Sequence, residues 1–260
     1  MMEAKIVALD INQLEYTFFW NDSPVIYNLS KDNAILIYPV ALKDCMLFLS
    51  CCGILSIKKN EISSIDIIKM SYLEFLIKEV FKDKKEINKL VILLNLCLKI
   101  ESPFISCKDD KYYLEDEKTG IVITAKQFDD IRRIIMYQNI VGYDDSYINP
   151  ELRASIEETK ALQSKNIDMP SIERKIAIIT SHCGLSKKEQ MGMTYRSHEL
   201  LFQEVNGEIE FITARPVALY SGNEDKIDHW IYKKKKGKFD NYFSSVESVK
   251  SKLGNGIVST

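Results

Sequence analysis

The histidines are the first residues of this 260-residue chain whose chemistry could support catalysis. His182 and Cys183 are adjacent, an arrangement that suggests a nucleophile beside its base. Neighbouring side chains diverge on helices and strands, so they rarely form the hydrogen bond that activates a thiol. His198 lies on the apolar face of a predicted helix, and His229 precedes Trp230, where packing of the Trp is favoured. The sequence therefore predicts structural histidines.

Adjacent aspartates could supply carboxylate ligands to a metal ion. The pairs are Asp109-Asp110, Asp129-Asp130 and Asp144-Asp145. The first pair falls in a predicted hairpin turn, where Asp is favoured locally, and the second in the first turn of a predicted helix, where the dipole favours acids. Neighbouring carboxylates alone do not define a site. A metal-dependent nuclease remains an alternative hypothesis, but no metal, cofactor or catalytic residue is predicted.

The cysteines do not have the spacing of a zinc site, which needs four converging ligands supplied as close pairs. No CxxC pair occurs among Cys45, Cys51, Cys52, Cys97, Cys107 and Cys183. We expect them to be small buried apolar residues in a reducing cytoplasm. The sequence also lacks the glycine-rich phosphate-binding loops, the GxSxG elbow and the HExxH zinc motif.

The charge balance argues against nucleic acid as a partner. The 35 Lys and Arg residues meet 37 Asp and Glu, so no basic field favours phosphate. The lysines at 233–236 and 238 could bind phosphate, with flanking aromatics that could stack on bases, but a solvated turn anchored by those aromatics is favoured. No signal peptide is recognised in Met1–Trp20, and the longest apolar stretches are too short to cross a bilayer. We expect a cytoplasmic protein.

The N-terminal region should mix short strands with helices. A hairpin is predicted from Val25–Tyr27 and Ala34–Tyr38, and a helix from Ala41–Cys52 with Leu42, Cys45, Met46 and Leu49 on one face and Gly53 as its stop. Further helices are predicted over Ser71–Lys82 and Lys85–Lys99. A β-meander should follow from Phe104–Cys107, Tyr112–Leu114 and Ile121–Thr124. Thr124 and Gln127 then form a capping box that starts a helix to about Gln138.

The C-terminal region should be mostly helical. Asn149-Pro150-Glu151 is a strong helix start, Pro170 opens a helix to about Ser181, and Ser186 begins a second capping box. Thr194 is expected to cap the longest helix, which Pro216 should end. The apolar face of that helix is His198, Leu201, Phe202, Val205, Ile209 and Ile212. The prediction is an α+β fold with a mixed region at 1–141 and a mainly helical one at 142–260.

Several strings resemble, in their order along the chain, tail proteins of phages that infect Firmicutes. They are Ile37-Tyr38-Pro39-Val40 with Lys43-Asp44, Met70-Ser71-Tyr72-Leu73-Glu74-Phe75-Leu76, Gln127-Phe128 through Arg132 to Tyr137-Gln138-Asn139, Tyr147-Ile148-Asn149-Pro150-Glu151-Leu152, Met193-Thr194-Tyr195-Arg196 and His229-Trp230-Ile231-Tyr232. The resemblance is to proteins encoded beside the tape-measure gene, with the tail-assembly chaperones and the baseplate-hub assembly proteins as nearest functional relatives. It spans most of residues 34–243 and transfers no functional residue.

This resemblance implies a non-enzymatic assembly factor that binds a tape-measure or baseplate-hub protein in the cytoplasm of the host bacterium. A structural virion subunit of the baseplate, hub or neck is the alternative. The candidate partner-binding surface is the apolar face of the long helix, because an amphipathic helix suits helix-in-groove recognition. Self-association stays open as a further expectation, and neither a membrane nor nucleic acid is expected as a partner.

Overall fold

A computed structural model describes residues 9–62, 64–164, 170–222 and 229–232. The chain divides into two compact units, one made of Met1–Ile148 with Ile172–Gln203 and the other of Asn149–Ser171 with Glu204–Thr260. Ile172–Gln203 therefore belongs with the N-terminal part of the chain, whereas the sequence placed it in the C-terminal region. The described residues form an α+β fold with small antiparallel sheets, as predicted.

The first unit contains most of the secondary structure. Its elements are α1 Ile11–Thr17, β1 Val25–Asn28, β2 Ala34–Ile37, α2 Cys45–Cys51, α3 Ile65–Lys69, α4 Tyr72–Phe75 with a π-helical continuation Leu76–Val80, α5 Lys84–Leu98, β3 Pro103–Lys108, β4 Lys111–Asp116, β5 Val122–Thr124, α6 Ala125–Asn139, α8 Ile172–Cys183 and α9 Lys187–Gly192. The second unit contains α7 Pro150–Ser164. Helix α10, Tyr195–Tyr220, begins in the first unit and ends in the second.

Both predicted sheets are confirmed. Strands β1 and β2 pair antiparallel, with Val25 opposite Ile37 and both side chains buried. The other sheet has the order β3-β4-β5. Asp109 and Asp110, with φ of 50° and 58°, form the two-residue turn between β3 and β4. Two consecutive left-handed residues are typical of a type I′ turn, which matches the twist of a hairpin.

The buried face of α2 differs from the predicted one. Met46 is 65% exposed, whereas Phe48 is fully buried. A 3-10 turn over Leu42–Asp44 precedes the helix, and such a turn has three residues per turn. The buried positions of this turn and helix are Leu42, Cys45, Phe48 and Cys51. Gly53 does not end the helical segment, because a further 3-10 turn runs through Leu55.

The core of the first unit lies between α5, α6 and the strands. Asp83 caps α5 by accepting from the amides of Lys85 and Glu86, and both bonds of the predicted Thr124–Gln127 capping box are present. Helix α2 packs on α5, and α4 packs on α6. The inward face of α5 supplies Leu90, Leu93, Leu94, Cys97 and Leu98. The starts of these helices could be predicted from the sequence, because capping side chains satisfy the amides of the first helical turn.

The predicted C-terminal helix starts are also confirmed. The Asn149 side chain accepts from the amide of Glu151, Ser186 forms its capping box with Glu189, and Thr194 accepts from the amide of Ser197. Pro216 does not end α10, which continues to Tyr220. A proline removes one main-chain bond, to the carbonyl four residues earlier, and a helix continues past it when its other bonds remain.

Candidate functional site

The apolar face predicted for partner binding begins inside the first unit. His198 has no exposed surface, and Leu201 and Phe202 are half-buried. The Nε2 atom of His198 lies 3.2 Å from Oε1 of Gln190, which is itself completely buried. The side-chain nitrogen of Gln190 donates to other acceptors, so His198 donates through Nε2. Its Nδ1 is buried and has no hydrogen-bond partner among the residues that the structure describes. The start of this face is therefore core.

The same face becomes exposed in the second unit. Val205 is still buried, but Ile209 is 40% and Ile212 56% exposed. Beyond them Pro216, Leu219 and Tyr220 are exposed at the following helical positions. Residues at i, i+3, i+7, i+10 and i+11 share one side of an α-helix. We call this set the exposed α10 face, defined by Ile209, Ile212, Pro216, Leu219 and Tyr220.

The opposite side of α10 is packed within the second unit. The Phe211 ring centroid lies 4.6 Å from that of His229 and 5.1 Å from that of Trp230. A Cβ added at Gly207 would lie 3.3 Å from the Trp230 side chain, so the indole contacts the helix backbone directly. The packing role predicted for Trp230 is confirmed. Because this side is occupied, α10 has two apolar sides in the second unit.

A buried ion pair lies near the start of α10. Lys175 of α8, which is 8% exposed, donates from Nζ to both carboxylate oxygens of Glu199 at 2.7 Å. The Nζ atom also lies 5.2 Å from the centroid of the Phe202 ring. Burial lowers the pKa of the His198 imidazole and outweighs the Glu199 charge, which raises it, while the Lys175 charge adds a smaller lowering. The imidazole is held neutral, which suits a structural histidine.

The histidines and the cysteine that were considered for catalysis, and for which a structural role was predicted, lie apart from one another. His182 and Cys183 are exposed at the last turn of α8, and His229 stacks on Trp230 with ring centroids 4.2 Å apart. In the part of the chain that the structure describes, no three His, Cys, Asp or Glu side chains are grouped to hold a metal ion. The lysines at 233–236 and 238 lie outside the described residues.

The structure gives each aspartate pair a role in the fold. Asp109-Asp110 is the hairpin turn described above. Asp129 binds Arg132, with Oδ1 at 2.8 Å from Nη2, and Asp130 accepts from the Tyr27 hydroxyl at 2.9 Å. These two neighbouring carboxylates therefore serve different contacts on either side of α6.

The third pair anchors the segment after α6. Asp145 accepts from Nε of Arg133 and from the hydroxyl of Tyr137, both at 2.6 Å. Burial alone would raise the pKa of this carboxyl, but the bonds from Tyr137 and Arg133 outweigh it and lower the pKa. Burial and the same bond raise the pKa of Tyr137 to about 12. The Asp144 side chain accepts from the amide of Ser146 at 2.9 Å. These hydrogen bonds hold the segment after α6 in place, so the two carboxylates have a structural role.

The thiols follow the prediction only in part. Cys45, Cys51 and Cys97 are buried and Cys52 is half-buried, whereas Cys107 and Cys183 are exposed. All six are free thiols. The prediction is thus wrong for Cys107, which lies on an edge strand, and for Cys183, which ends a surface helix.

Two concave features were not found from the sequence, because both are formed by distant segments. A polar cavity of about 480 Å³ is bordered by residues of the 57–61, 68–72, 125–132 and 145–147 segments. An apolar groove of about 210 Å³ lies between α5 and β3. Three of the strings that resemble tail proteins contribute Met70, Tyr72, Arg132 and Tyr147 to the polar cavity. Arg132 in this cavity binds Asp129 and the Leu55 carbonyl, and its guanidinium lies 3.9 Å from the centroid of the Tyr72 ring.

The comparisons with known proteins identify no relatives. No family model matches the sequence, and no curated protein or solved structure matches it significantly. Among the helices that the structure describes, none combines the length and apolar character needed to cross a bilayer. Within the described part of the chain, the exposed α10 face is an apolar helix side that remains accessible to solvent.

Proposed function

We propose that this protein acts without catalysis, as a phage tail assembly factor that binds a tape-measure or baseplate-hub protein. The observation that supports binding is the exposed α10 face, where four large apolar side chains and a proline are aligned over three helical turns. Large contiguous apolar surfaces on soluble proteins are typical of interaction sites. The identity of the partner rests on the resemblance to tail proteins, which the comparisons neither support nor oppose.

The chemistry of the exposed α10 face suits an amphipathic helix. Its apolar residues alternate at spacings of three and four, from Ile209 to Ile212, Pro216 and Leu219. This is the spacing at which one helix packs along another, with side chains of each filling gaps on the other. Glu208 and Arg215 border the apolar positions and would form a polar rim. A tape-measure chain rich in such helices would have its apolar surface covered until the tail polymerises, and the proposal includes the host cytoplasm as the location of this step.

Co-purification tests the proposal. The chain is co-expressed with the tape-measure and hub proteins of the same phage genome, and the tail protein retained by the tagged chain is quantified. Ile212→Glu should reduce retention by about tenfold or more, because burying an unpaired carboxylate opposes binding by more than 1.4 kcal/mol. Ile65→Glu is the matched control, since Ile65 is an isoleucine 70% exposed on α3.

Two results would contradict the proposal. The first is that no tail protein is retained by the unaltered chain, and the second is that Ile212→Glu and Ile65→Glu weaken retention equally. Mass spectrometry of purified particles separates the two roles within tail assembly. Absence from the particle indicates a chaperone, whereas stoichiometric presence indicates a structural subunit of the baseplate, hub or neck.

A further inference from the structure

The polar cavity of the first unit has more cations than carboxylates on its walls. Its volume is about 480 Å³. Asp145, one of its carboxylates, is bonded to Arg133, which does not border the cavity, so this negative charge is compensated from outside. The cavity therefore carries an excess of positive charge. Among the residues described, the charged side chains that border it are Lys58, Lys59, Lys126, Arg132, Glu61, Asp129 and Asp145.

Lys59 is held in the wall of the cavity by neutral acceptors. Its Nζ atom donates to the Ile68 carbonyl at 2.8 Å and to Oδ1 of Asn60 at 3.1 Å. Burial lowers the pKa of this ammonium and outweighs the Asp129 charge, which raises it, while the Arg132 charge adds a smaller lowering. The protein itself therefore does not fully stabilise the charged form of Lys59.

The Arg132 guanidinium is fixed in position by its own contacts. Its Nε and Nη2 atoms lie 2.9 and 2.8 Å from Oδ1 of Asp129, and its Nη1 atom donates to the Leu55 carbonyl at 3.0 Å. These bonds use three of the five N–H groups of a guanidinium. A planar guanidinium that is already oriented is suited to binding an oxyanion.

Lys126 lies in the first turn of α6, where a cation is locally unfavourable. It is the second residue of that helix, and it is exposed. The N-terminal end of a helix carries partial positive charge, which repels an ammonium and attracts an anion. Residues that oppose the local preference are expected at functional sites. An anion in the cavity would stabilise the charges of both Lys126 and Lys59.

We infer that the polar cavity binds a phosphate group, carried by free phosphate or by a small phosphomonoester, between Lys59, Lys126 and Arg132. A phosphomonoester has three acceptor oxygens and a charge of about −1.5 to −2 at pH 7, whereas a carboxylate has one charge and two oxygens. A single phosphate group can therefore neutralise the excess charge of the walls.

The concave shape of the site favours a small ligand over a nucleic-acid strand. The net charge of the chain is −2, which provides no general basic field to attract a polyanion. The site is independent of the exposed α10 face and of the tail protein proposed to bind there.

Phosphorus-31 NMR with the full-length chain at low salt tests the site. Inorganic phosphate should show saturable binding, and Lys126→Ala should raise its dissociation constant about tenfold, because a hydrogen bond between charged groups is lost. Lys85→Ala is the matched control and should bind as the unaltered chain does. Lys85 is likewise the exposed second residue of a helix, α5, and does not border the cavity. No saturable binding, or equal effects of the two substitutions, would overturn the proposal.

Two further probes identify the ligand. A lower dissociation constant for phenyl phosphate than for inorganic phosphate would indicate a phosphomonoester, and an equal or higher one would indicate free phosphate. Sodium acetate at matched ionic strength should not displace phosphate. Displacement by acetate at comparable concentrations would show a general anion-binding surface and would contradict a phosphate site.

Urea denaturation distinguishes ligand binding from a structural role of Lys126. Without phosphate, Lys126→Ala should be at least as stable as the unaltered chain, because the helix dipole no longer opposes a cation. Phosphate should raise the urea midpoint of the unaltered chain and of Lys85→Ala more than that of Lys126→Ala, since a ligand stabilises only the state that binds it. A Lys126→Ala variant that is destabilised without phosphate would show that Lys126 acts in folding instead.

Discussion

The main-chain amide of Val40 donates a hydrogen bond to Oδ1 of Asn139 at 2.7 Å, and both residues are buried. Asn139 in turn donates from Nδ2 to the carbonyl of Ile135, and the Val40 carbonyl accepts from the amide of Tyr195 at 2.8 Å. The end of α6, the chain after β2 and the start of α10 thus meet around one side-chain amide. This junction explains why Ile172–Gln203 belongs with the N-terminal part of the chain.

Replacing Asn139 should destabilise the first unit. Asn139→Ala leaves the buried Val40 amide without an acceptor, and an unsatisfied buried donor costs about 1–3 kcal/mol. Urea denaturation should show that decrease in the free energy of unfolding. Asn95→Ala, at an exposed position of α5, is the control and should change stability by less than about 0.5 kcal/mol. Equal effects of the two substitutions would argue against the junction.

Replacing only one partner of the Lys175–Glu199 pair should destabilise the protein more than replacing both partners. Glu199→Ala leaves an ammonium buried without its counter-charge, at a cost of about 3–5 kcal/mol. The double variant Lys175→Met, Glu199→Leu should lose less, because no buried charge remains. Glu74→Ala removes the partner of the exposed Lys78 and should cost about 0.5 kcal/mol or less. The measurement is the urea midpoint of the unaltered chain and of these three variants. A double variant that is the least stable of the four would contradict this account.

Burial of His198 should make stability depend on pH. Its pKa in the folded protein is lowered from 6.5, so as the pH falls below 6.5 the unfolded chain binds the proton first. This contribution to stability is complete above pH 6.5 and is lost as the pH falls towards the folded pKa. His198→Gln should therefore lose less stability than the unaltered chain between pH 7.5 and 5.5, as measured by urea unfolding. The control is His182→Gln, at an exposed histidine, which should retain the full dependence.

A side chain at Gly207 should displace Trp230. The Cβ of any substituent would already lie 3.3 Å from two atoms of that side chain, so Gly207→Leu cannot be accommodated without movement of the indole. The fluorescence spectrum should shift to longer wavelength as the indole gains contact with water. Gly192→Leu is the control, because no atom lies within 4 Å of a Cβ at that position. An unchanged spectrum in Gly207→Leu would show that the contact is not maintained in solution.

Local chemistry made much of the fold predictable. Hydrogen bonds within three or four residues define the capping boxes at Thr124 and Ser186, and a two-residue Asp turn defines the β3–β4 hairpin. The predictions of helix ends and buried faces were wrong where contacts with other parts of the chain determine them. Helix α2 buries Phe48 rather than the predicted Met46, and α10 continues through Pro216.

The candidate surface was only partly predictable, for a similar reason. Periodicity found the apolar face of α10, but it could not distinguish the buried His198 from the exposed Ile212, because burial depends on which elements pack against each turn. The groove beside β3 had no sequence signal of its own. Its walls come from α5, β3 and β4, so it exists only once these elements have packed together.

The six cysteines differ in solvent exposure, so the reactivity of their thiols can report unfolding of the protein. A water-soluble alkylating reagent should modify Cys107 and Cys183 in the native protein, while Cys45, Cys51 and Cys97 stay protected until the core opens. Burial also raises the pKa of Cys97 to about 12, so that little reactive thiolate exists there before unfolding. Counting modified sites against time would thus measure surface access and global opening in a single experiment, without any added label.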